Sequence, residues 1–173
     1  SDQATYEDQL PSRFPPLIVD ADGLNILSQL PDWPLMLPTE TILTPHPGEM
    51  ARLCRSTVAE VQASRVQLAV RSAEEWGHVV VLKGAFTIVA APHREPAIIP
   101  FANPGLSSGG TGDVLAGAIC ALRAQGLAAF DAAVAGCYLH GLAGEILRAR
   151  LGPSGIPALQ LADALTEAQH GLR

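Results

Sequence analysis

A cluster of glycines stands in the run Ser-Ser-Gly-Gly-Thr-Gly-Asp-Val-Leu-Ala-Gly, which begins at residue 107. Gly109, Gly110 and Gly112 surround Thr111, and an apolar pattern with helical spacing follows. A glycine-rich turn that opens a helix leaves backbone amides free to point at a ligand, and the helix dipole adds partial positive charge there. We therefore predict that residues 109–112 form an anion hole, a site where backbone amides hold a phosphate.

An acidic residue, Asp113, follows the anion hole directly. A carboxylate beside a phosphate repels it unless the carboxylate takes part in the chemistry. Its clearest chemical role is that of a general base, which removes the proton of a hydroxyl group as the oxygen attacks a phosphoryl group. The alternative is that Asp113 only complements the dipole of its own helix. The turn by itself leaves both roles open.

The composition predicts a single domain whose partners are small molecules. The chain has 173 residues, of which 48% are hydrophobic and 16% charged, enough for a sizeable core. A net charge of −6 argues against nucleic acid or an anionic membrane as the main partner. The 3 cysteines show no paired spacing, and no apolar run is long enough to span a bilayer. We therefore expect a reduced, cytoplasmic protein.

The order of apolar runs predicts an α/β layered fold with a mostly parallel sheet. Strands are predicted at 17–20, 41–44, 78–83, 86–90 and 97–101, and helices at 21–30, 50–54, 57–76, 113–124, 130–151 and 159–172. The strand at 97–101 is expected at a sheet edge, because Pro100 cannot donate to a ladder. Residues 1–16 are polar and contain prolines, so we expect an arm or loop there and the domain itself at 17–173.

Polar residues follow three of the predicted strands. Asp20 ends the first, His46 and Glu49 follow the second, and Lys83 ends the third. Open α/β sheets bind ligands at the carboxyl ends of their strands. Three of these residues also have an ordinary structural alternative, Asp20 and His46 in capping and Lys83 as a solvated turn residue.

The predicted helix 130–151 carries small residues that favour close helix packing, among them Ala143 and Gly144. It also carries His140 among mostly apolar neighbours. We interpret His140 as a buried core or interface histidine.

These stretches resemble the ribokinase-like superfamily. Gly-Gly-Thr-Gly-Asp-Val-Leu-Ala-Gly is similar to the superfamily's anion-hole and catalytic-base motif, and Asn103-Pro104-Gly105 narrows the resemblance to the NAD(P)H-hydrate dehydratase family. Thr111, in place of Gln, resembles the bacterial ADP-dependent branch. Thr-Pro-His-Pro-Gly-Glu at 44–49 is similar to the family's version of an Asn-x-x-Glu element, and Lys-Gly-x-x-Thr at 83–87 to its nucleotide-binding stretch. Ala102 departs from the glycine usual in the family.

The resemblance implies an ADP-dependent dehydratase that restores NADH or NADPH from the S-epimer of its hydrate, with AMP and phosphate as the other products. It implies that Asp113 is the catalytic base and that Mg²⁺ lies near Glu49. The implied nucleotide-binding residues are Lys83, Gly84, Ala85, Phe86, Thr87 and Gly112. The implied substrate-binding residues are His46, Asn103 and Asp113.

The resemblance covers the C-terminal part of the family's domain, from about residue 17 to the last helix. It leaves out the family's earlier strands and helices, and also an epimerase domain that many bacterial members carry upstream. A sheet cut short exposes a strand edge, so we expect self-association into a homo-oligomer. Two alternatives stay open. One is another ribokinase-like kinase, of hydroxyethylthiazole or pyridoxal type, and the other is a non-catalytic nucleotide-binding fragment.

Overall fold

A five-stranded mixed sheet forms the centre of the computed structural model, which describes residues 15–153 and 155–172. Its strands follow chain order across the sheet: β1 (Ile18–Val19), β2 (Ile42–Leu43), β3 (Val79–Leu82), β4 (Ile88–Ala90) and β5 (Ala97–Ile98). The first three pair in parallel, whereas β4 is antiparallel to both of its neighbours. Four of these five strands therefore run in the same direction, which confirms the predicted α/β fold with a mostly parallel sheet. The predicted arm at 1–16 falls outside the described residues apart from its last two positions.

Helices cover both faces of the sheet. The α-helices of the described chain are α1 (Ala21–Leu27), α2 (Pro47–Leu53), α3 (Val58–Ala63), α4 (Arg65–Trp76), α5 (Thr111–Ala124), α6 (Ala129–Leu151) and α7 (Ala158–His170), with 3-10 turns at Trp33–Met36 and Pro104–Ser107. All four side chains of β3 are buried. Val79 and Val81 pack on the side of α5 and α6, and Val80 and Leu82 pack on the side of α2 and α4. No helix in the described ranges has the length and apolar character needed to cross a membrane.

Several predicted boundaries were wrong, and backbone geometry explains the differences. The single helix predicted at 57–76 is two helices, because Ser64 leaves the helical region with φ −142° and ψ 45°. The strand predicted from Phe86 begins only at Ile88, since Phe86 has a left-handed φ of 52° within the turn. The helix predicted at 50–54 starts earlier, at Pro47, where His46 caps it. The predicted edge strand is confirmed at the sheet edge but is limited to Ala97–Ile98.

Helix α6 packs unusually close to its neighbours at three glycines. A Cβ atom added to Gly136 would lie 2.6 Å from Ile119 Cγ1, and one added to Gly141 would lie 2.1 Å from the Phe101 ring. At Gly144 the same atom would lie 2.9 Å from the side chain of Leu106. The prediction that small residues allow close packing here is confirmed. The result is that α6 backs directly onto α5 and onto the loop that leads into it.

Candidate active site

Charged residues from three strand ends meet at one edge of the sheet. Lys83 follows β3, and its Nζ lies 2.6 Å from Oδ1 of Asp20, which follows β1. The same Nζ lies 3.8 Å from Oε2 of Glu49, in the first turn of α2 after β2. Because β1, β2 and β3 are parallel, their carboxyl ends lie side by side. We call Asp20, Glu49 and Lys83 the charged cluster. Only 18% of the Lys83 side chain is exposed, so the alternative of a solvated turn lysine does not hold.

His46 and Glu49 form a capping box at the start of α2. His46 Nδ1 accepts hydrogen bonds from the backbone amides of Gly48 (2.9 Å) and Glu49 (3.4 Å), and the Glu49 carboxylate accepts one from the backbone amide of His46 (2.7 Å). Because Nδ1 is an acceptor, the neutral ring carries its proton on Nε2. That nitrogen lies 3.3 Å from Glu49 Oε1, and half of the imidazole remains exposed. The pair therefore fixes the start of α2 and leaves part of the imidazole accessible to a ligand.

The predicted anion hole lies at the N-terminus of α5. Gly110 precedes the helix with a left-handed φ of 83°, a conformation that glycine adopts without strain. Thr111 is buried, and its hydroxyl lies within 2.7 Å of two carbonyl oxygens, those of Leu106 and Ser108. No side chain of the described residues caps this helix start. The Thr111 amide donates to the Ser108 carbonyl oxygen (3.4 Å), whereas the amides of Gly112 and Asp113 have no acceptor among the described residues and can bind an external anion.

Gly112 brings the anion hole against the charged cluster. A Cβ atom added to Gly112 would lie 3.5 Å from Lys83 Nζ and 3.7 Å from Asp20 Oδ2. A larger residue would thus intrude on the space between the helix and the lysine. An anion held at the start of α5 would contact both the Gly112 backbone and the Lys83 ammonium group.

A cavity of about 210 Å³ opens beside this point. It is lined by five of the six predicted nucleotide-binding residues, namely Lys83, Gly84, Ala85, Thr87 and Gly112. The sixth, Phe86, is 53% exposed and lies outside the lining. Thr87 closes the turn between β3 and β4 by donating a hydrogen bond from its hydroxyl to the Gly84 carbonyl (3.0 Å). The cavity is therefore built by this turn on one side and by the start of α5 on the other.

Asp113 lies at the mouth of this arrangement. It is exposed on the first turn of α5 and is not part of the cavity lining. Its Oδ2 lies 4.0 Å from the point that a Cβ on Gly110 would occupy. The carboxylate thus stands on the solvent side of the anion hole, whereas Lys83 stands on the inner side. His46 and Glu49 also lie outside the cavity lining.

Asn103 is buried and lines the cavity, and its amide group is hydrogen-bonded within the chain. Its Nδ2 donates to the carbonyl of Gly144 (2.9 Å), and its Oδ1 accepts from the backbone amide of Gly105 (2.9 Å). The residue therefore joins the loop before α5 to helix α6. The structure brings it close to the predicted nucleotide-binding residues, with its polar atoms already engaged.

Two positively charged or titratable residues near the site carried no clear signal in the sequence. Arg65, at the start of α4, donates hydrogen bonds to the carbonyl oxygens of Leu82 (3.2 Å) and Lys83 (3.4 Å), and burial lowers the pKa of its guanidinium. His140 is confirmed as a buried residue and also lines the cavity. Its Nε2 lies 2.9 Å from the carbonyl oxygen of Thr111. Arg65 stands among polar residues of one helix and His140 among apolar residues of another. The sequence alone therefore does not distinguish them from an ordinary surface arginine and an ordinary core histidine.

Burial controls the protonation of two groups on the cavity wall. It lowers the pKa of His140 from the ordinary value of 6.5, an effect that nearby Lys83 adds to and that the hydrogen bond to Thr111 opposes. Burial also raises the pKa of the Cys137 thiol to about 12. His140 is therefore neutral at pH 7, and Cys137 is a protonated thiol rather than a nucleophile.

The donor groups fit a magnesium ion that arrives with a ligand rather than one held by the chain alone. Among the described residues, no three His, Cys, Asp or Glu side chains are grouped closely enough to hold a metal. Magnesium bound through phosphates needs only one or two carboxylates from the protein. Asp20 and Glu49 are the carboxylates beside Lys83. They are the residues that would face such an ion.

Comparison with known proteins identifies the family. The NAD(P)H-hydrate dehydratase family matches residues 3–167. The bifunctional NAD(P)H-hydrate repair enzyme of Escherichia coli is 46% identical over 150 residues, which cover 87% of this chain and 28% of that protein. The ADP-dependent (S)-NAD(P)H-hydrate dehydratase of Neisseria meningitidis is 42% identical over 160 residues, covering 91% of this chain and 53% of that protein.

Solved structures agree with this assignment. The ADP/ATP-dependent NAD(P)H-hydrate dehydratase of Bacillus subtilis, co-crystallised with ATP and Mg²⁺, superposes with a TM-score of 0.82 at 31% identity, covering 91% of this chain and 55% of that one. A ribokinase-like superfamily protein of Enterococcus faecalis superposes with a TM-score of 0.67 at 27% identity, covering 94% of this chain and 55% of that one. The chain thus spans about half of these structures and under a third of the bifunctional relative. It belongs to the NAD(P)H-hydrate dehydratase family, with a ribokinase-like fold.

Proposed function

We propose that this chain carries the nucleotide site and the catalytic base of an ADP-dependent dehydratase, which returns the S-epimer of hydrated NADH or NADPH to NADH or NADPH. The observation that carries the proposal is the meeting of Lys83, the α5 amides and Asp113 at one sheet edge. The relative from Neisseria meningitidis bears this activity in its name. The relative from Bacillus subtilis was crystallised with ATP and Mg²⁺.

The chemistry begins with a poor leaving group. The substrate's ring hydroxyl does not leave as hydroxide at neutral pH, so it is first converted into a phosphate ester. The hydroxyl oxygen attacks the β-phosphorus of ADP, a P–O bond breaks to release AMP, and the hydroxyl proton passes to Asp113. Phosphate then leaves with the electron pair of the C–O bond. Loss of a proton from the neighbouring ring carbon forms the double bond of NAD(P)H.

The position of each group of residues indicates its role in this reaction. The amides of residues 109–112 stabilise the charge that develops on the transferring phosphoryl group, because they are fixed before the reaction begins. Lys83 adds a positive charge on the inner side, and the turn from Gly84 to Thr87 holds the nucleotide. His46 contacts the hydrated nicotinamide part through the accessible part of its imidazole. Glu49 would help to hold a magnesium ion that arrives with the nucleotide, and such an ion would neutralise phosphate charge.

We extend the proposal to the whole protein and its partners. The matched relatives include bifunctional repair enzymes, so an epimerase domain is a proposed partner that would convert the other epimer of the hydrate. The three cysteines are all free, which supports a reducing, cytoplasmic setting. Residues 17–173 would then form the C-terminal part of the dehydratase domain. Homo-oligomers are expected from the strand edge at β1.

A turnover assay with product analysis tests the function. The intact protein is incubated with ADP, Mg²⁺ and hydrated NADH, and the return of NADH absorbance is followed together with AMP. We expect Asp113→Asn to lower turnover by roughly 10²–10⁴-fold, the usual contribution of a positioned base, while AMP binding by calorimetry stays unchanged. The control is Asp163→Asn, which alters an exposed carboxylate on α7 that does not line the cavity.

Three outcomes are informative. Near-normal turnover in Asp113→Asn would show that this residue is not the base. A stable phosphorylated product without NADH would identify a kinase instead of a dehydratase. Binding of AMP without any turnover in the intact wild-type protein would support a non-catalytic nucleotide-binding role.

A further inference from the structure

Helix α6 holds both ends of the loop that carries the anion hole. We call residues 103–112 the anion loop. At its start, Asn103 Nδ2 donates to the carbonyl oxygen of Gly144, and at its end His140 Nε2 lies 2.9 Å from the carbonyl oxygen of Thr111. Residues 140 and 144 are one helical turn apart and so lie on the same face of α6. Two hydrogen bonds from one rigid helix therefore fix the ends of the loop.

The hydrogen bond between His140 and the Thr111 carbonyl oxygen also constrains the neighbouring amide of Gly112. A carbonyl oxygen can only accept, so His140 Nε2 is the donor and the ring carries its proton there. The Thr111 carbonyl shares a planar trans peptide unit with the amide of Gly112, and in such a unit the C=O and N–H groups point in opposite directions. Holding this oxygen therefore sets the direction of the Gly112 N–H. A donor on the carbonyl also polarises the peptide, which makes its N–H a stronger donor.

Close packing limits how far this arrangement can move. Gly141 lies against the Phe101 ring and Gly144 against Leu106, with no space for a Cβ at either position. Thr111 itself is 3% exposed, and His140 is 8% exposed. This packing fixes the part of the α6 backbone that carries His140, so the start of the imidazole side chain is held opposite the Thr111 carbonyl.

We propose that His140 is a positioning residue, which orients and polarises the Gly112 amide through the Thr111 carbonyl, and that Asn103 fixes the opposite end of the anion loop. The inference rests on the proposed function, because it gives that amide a role in phosphoryl transfer. It also changes the expected role of Asn103 from a substrate contact to a support of the loop.

The test compares His140→Met with His140→Gln in the intact protein. Methionine has similar length but no donor, whereas glutamine places an N–H near the position of Nε2. We expect Met to lower kcat by about 10–100-fold, the scale of a misplaced anion-hole donor, with KM for ADP changed by less than about threefold. We expect Gln to restore kcat to within about fivefold of the wild type, since it restores the donor.

A second measurement does not depend on activity. The NMR resonance of the Gly112 amide proton should move upfield in His140→Met, because the peptide is less polarised, and should move less in His140→Gln. If His140→Met fails to fold, His140→Asn replaces it, because its shorter amide keeps a polar group but cannot reach Thr111. That variant should show the same kinetic loss and the same upfield shift.

Specific results would overturn the inference. A lower melting temperature in His140→Met with wild-type kcat and an unmoved Gly112 resonance would make His140 a packing residue only. Equal losses in the Met and Gln variants would show that the donor is not what matters. Absence of dehydratase turnover in the wild type would instead refute the proposed function, and the Gly112 resonance would still decide whether His140 orients this amide.

Discussion

Substituting Lys83 with methionine removes the only cation of the charged cluster. In the wild type its Nζ lies 2.6 Å from Asp20 and 3.8 Å from Glu49, whose side chains are 13% and 6% exposed. Without the lysine, two mostly buried carboxylates lose the cation that lies beside both of them. We therefore expect the substitution to weaken folding as well as nucleotide binding.

The expected loss of stability in Lys83→Met depends on how deeply the charged cluster is buried. Removing one partner of a buried ion pair destabilises a protein by about 3–5 kcal/mol, because the remaining charge is uncompensated. Lys83 keeps 18% exposure and borders a cavity, so water can solvate part of the cluster. We therefore expect Lys83→Met to lower the free energy of unfolding by about 2–3 kcal/mol. For a chain of this size that corresponds to a fall in Tm of about 4–12 °C.

The matched control is the double variant Lys83→Met with Asp20→Asn, measured by thermal unfolding at pH 7. Asparagine removes the uncompensated charge, so the double variant should regain at least about half of the lost stability. AMP affinity, measured by calorimetry, should fall about 10–100-fold in both variants, since a charge-assisted hydrogen bond is lost in each. An unchanged Tm in Lys83→Met, or a double variant less stable than the single one, would refute the electrostatic reasoning. Unchanged AMP affinity would refute the nucleotide contact.

Three further predictions concern packing, pH and association. Gly141→Ala should destabilise the fold by about 1–3 kcal/mol, because its Cβ would overlap the Phe101 ring, whereas Gly109→Ala, with open space around it, should change the Tm little. The folded-state pKa of His140 lies below its ordinary value of 6.5, so the unfolded chain binds this proton more readily than the folded chain. As the pH falls below 6.5, the free energy of unfolding therefore decreases, until the pH has passed the folded-state pKa. Chemical denaturation across this range measures the free energy of unfolding as a function of pH, and its slope should be smaller in His140→Gln than in the wild type. Equal slopes would contradict a lowered pKa of His140. The 173-residue chain should self-associate in light scattering through the edge of β1, where Leu17 is 36% exposed; a monomer with slow amide exchange at 17–20 would contradict this.

Local sequence patterns were sufficient for the fold class and for the glycine turn that opens α5. The glycines at 109–112 have few structural explanations besides a turn that opens a helix, and the turn does open α5. The apolar run at 78–83 predicted a strand, and all four residues of β3 are buried, as in a strand covered on both faces. These features depend on neighbours in the chain, which is why periodicity and residue type can predict them.

The sequence could not decide which polar groups face each other. Lys83 and Asp20 pair across 63 positions, and His140 and Thr111 pair across 29. The first contact exists because β1 and β3 run parallel with their carboxyl ends at one edge, and the second because glycines let α6 approach the anion loop. The family resemblance implied that Asn103 binds the substrate, and only the structure shows that its amide also bonds to Gly144 and Gly105. Side-chain type limits what a residue can bind, whereas the packing of distant elements decides what it does bind.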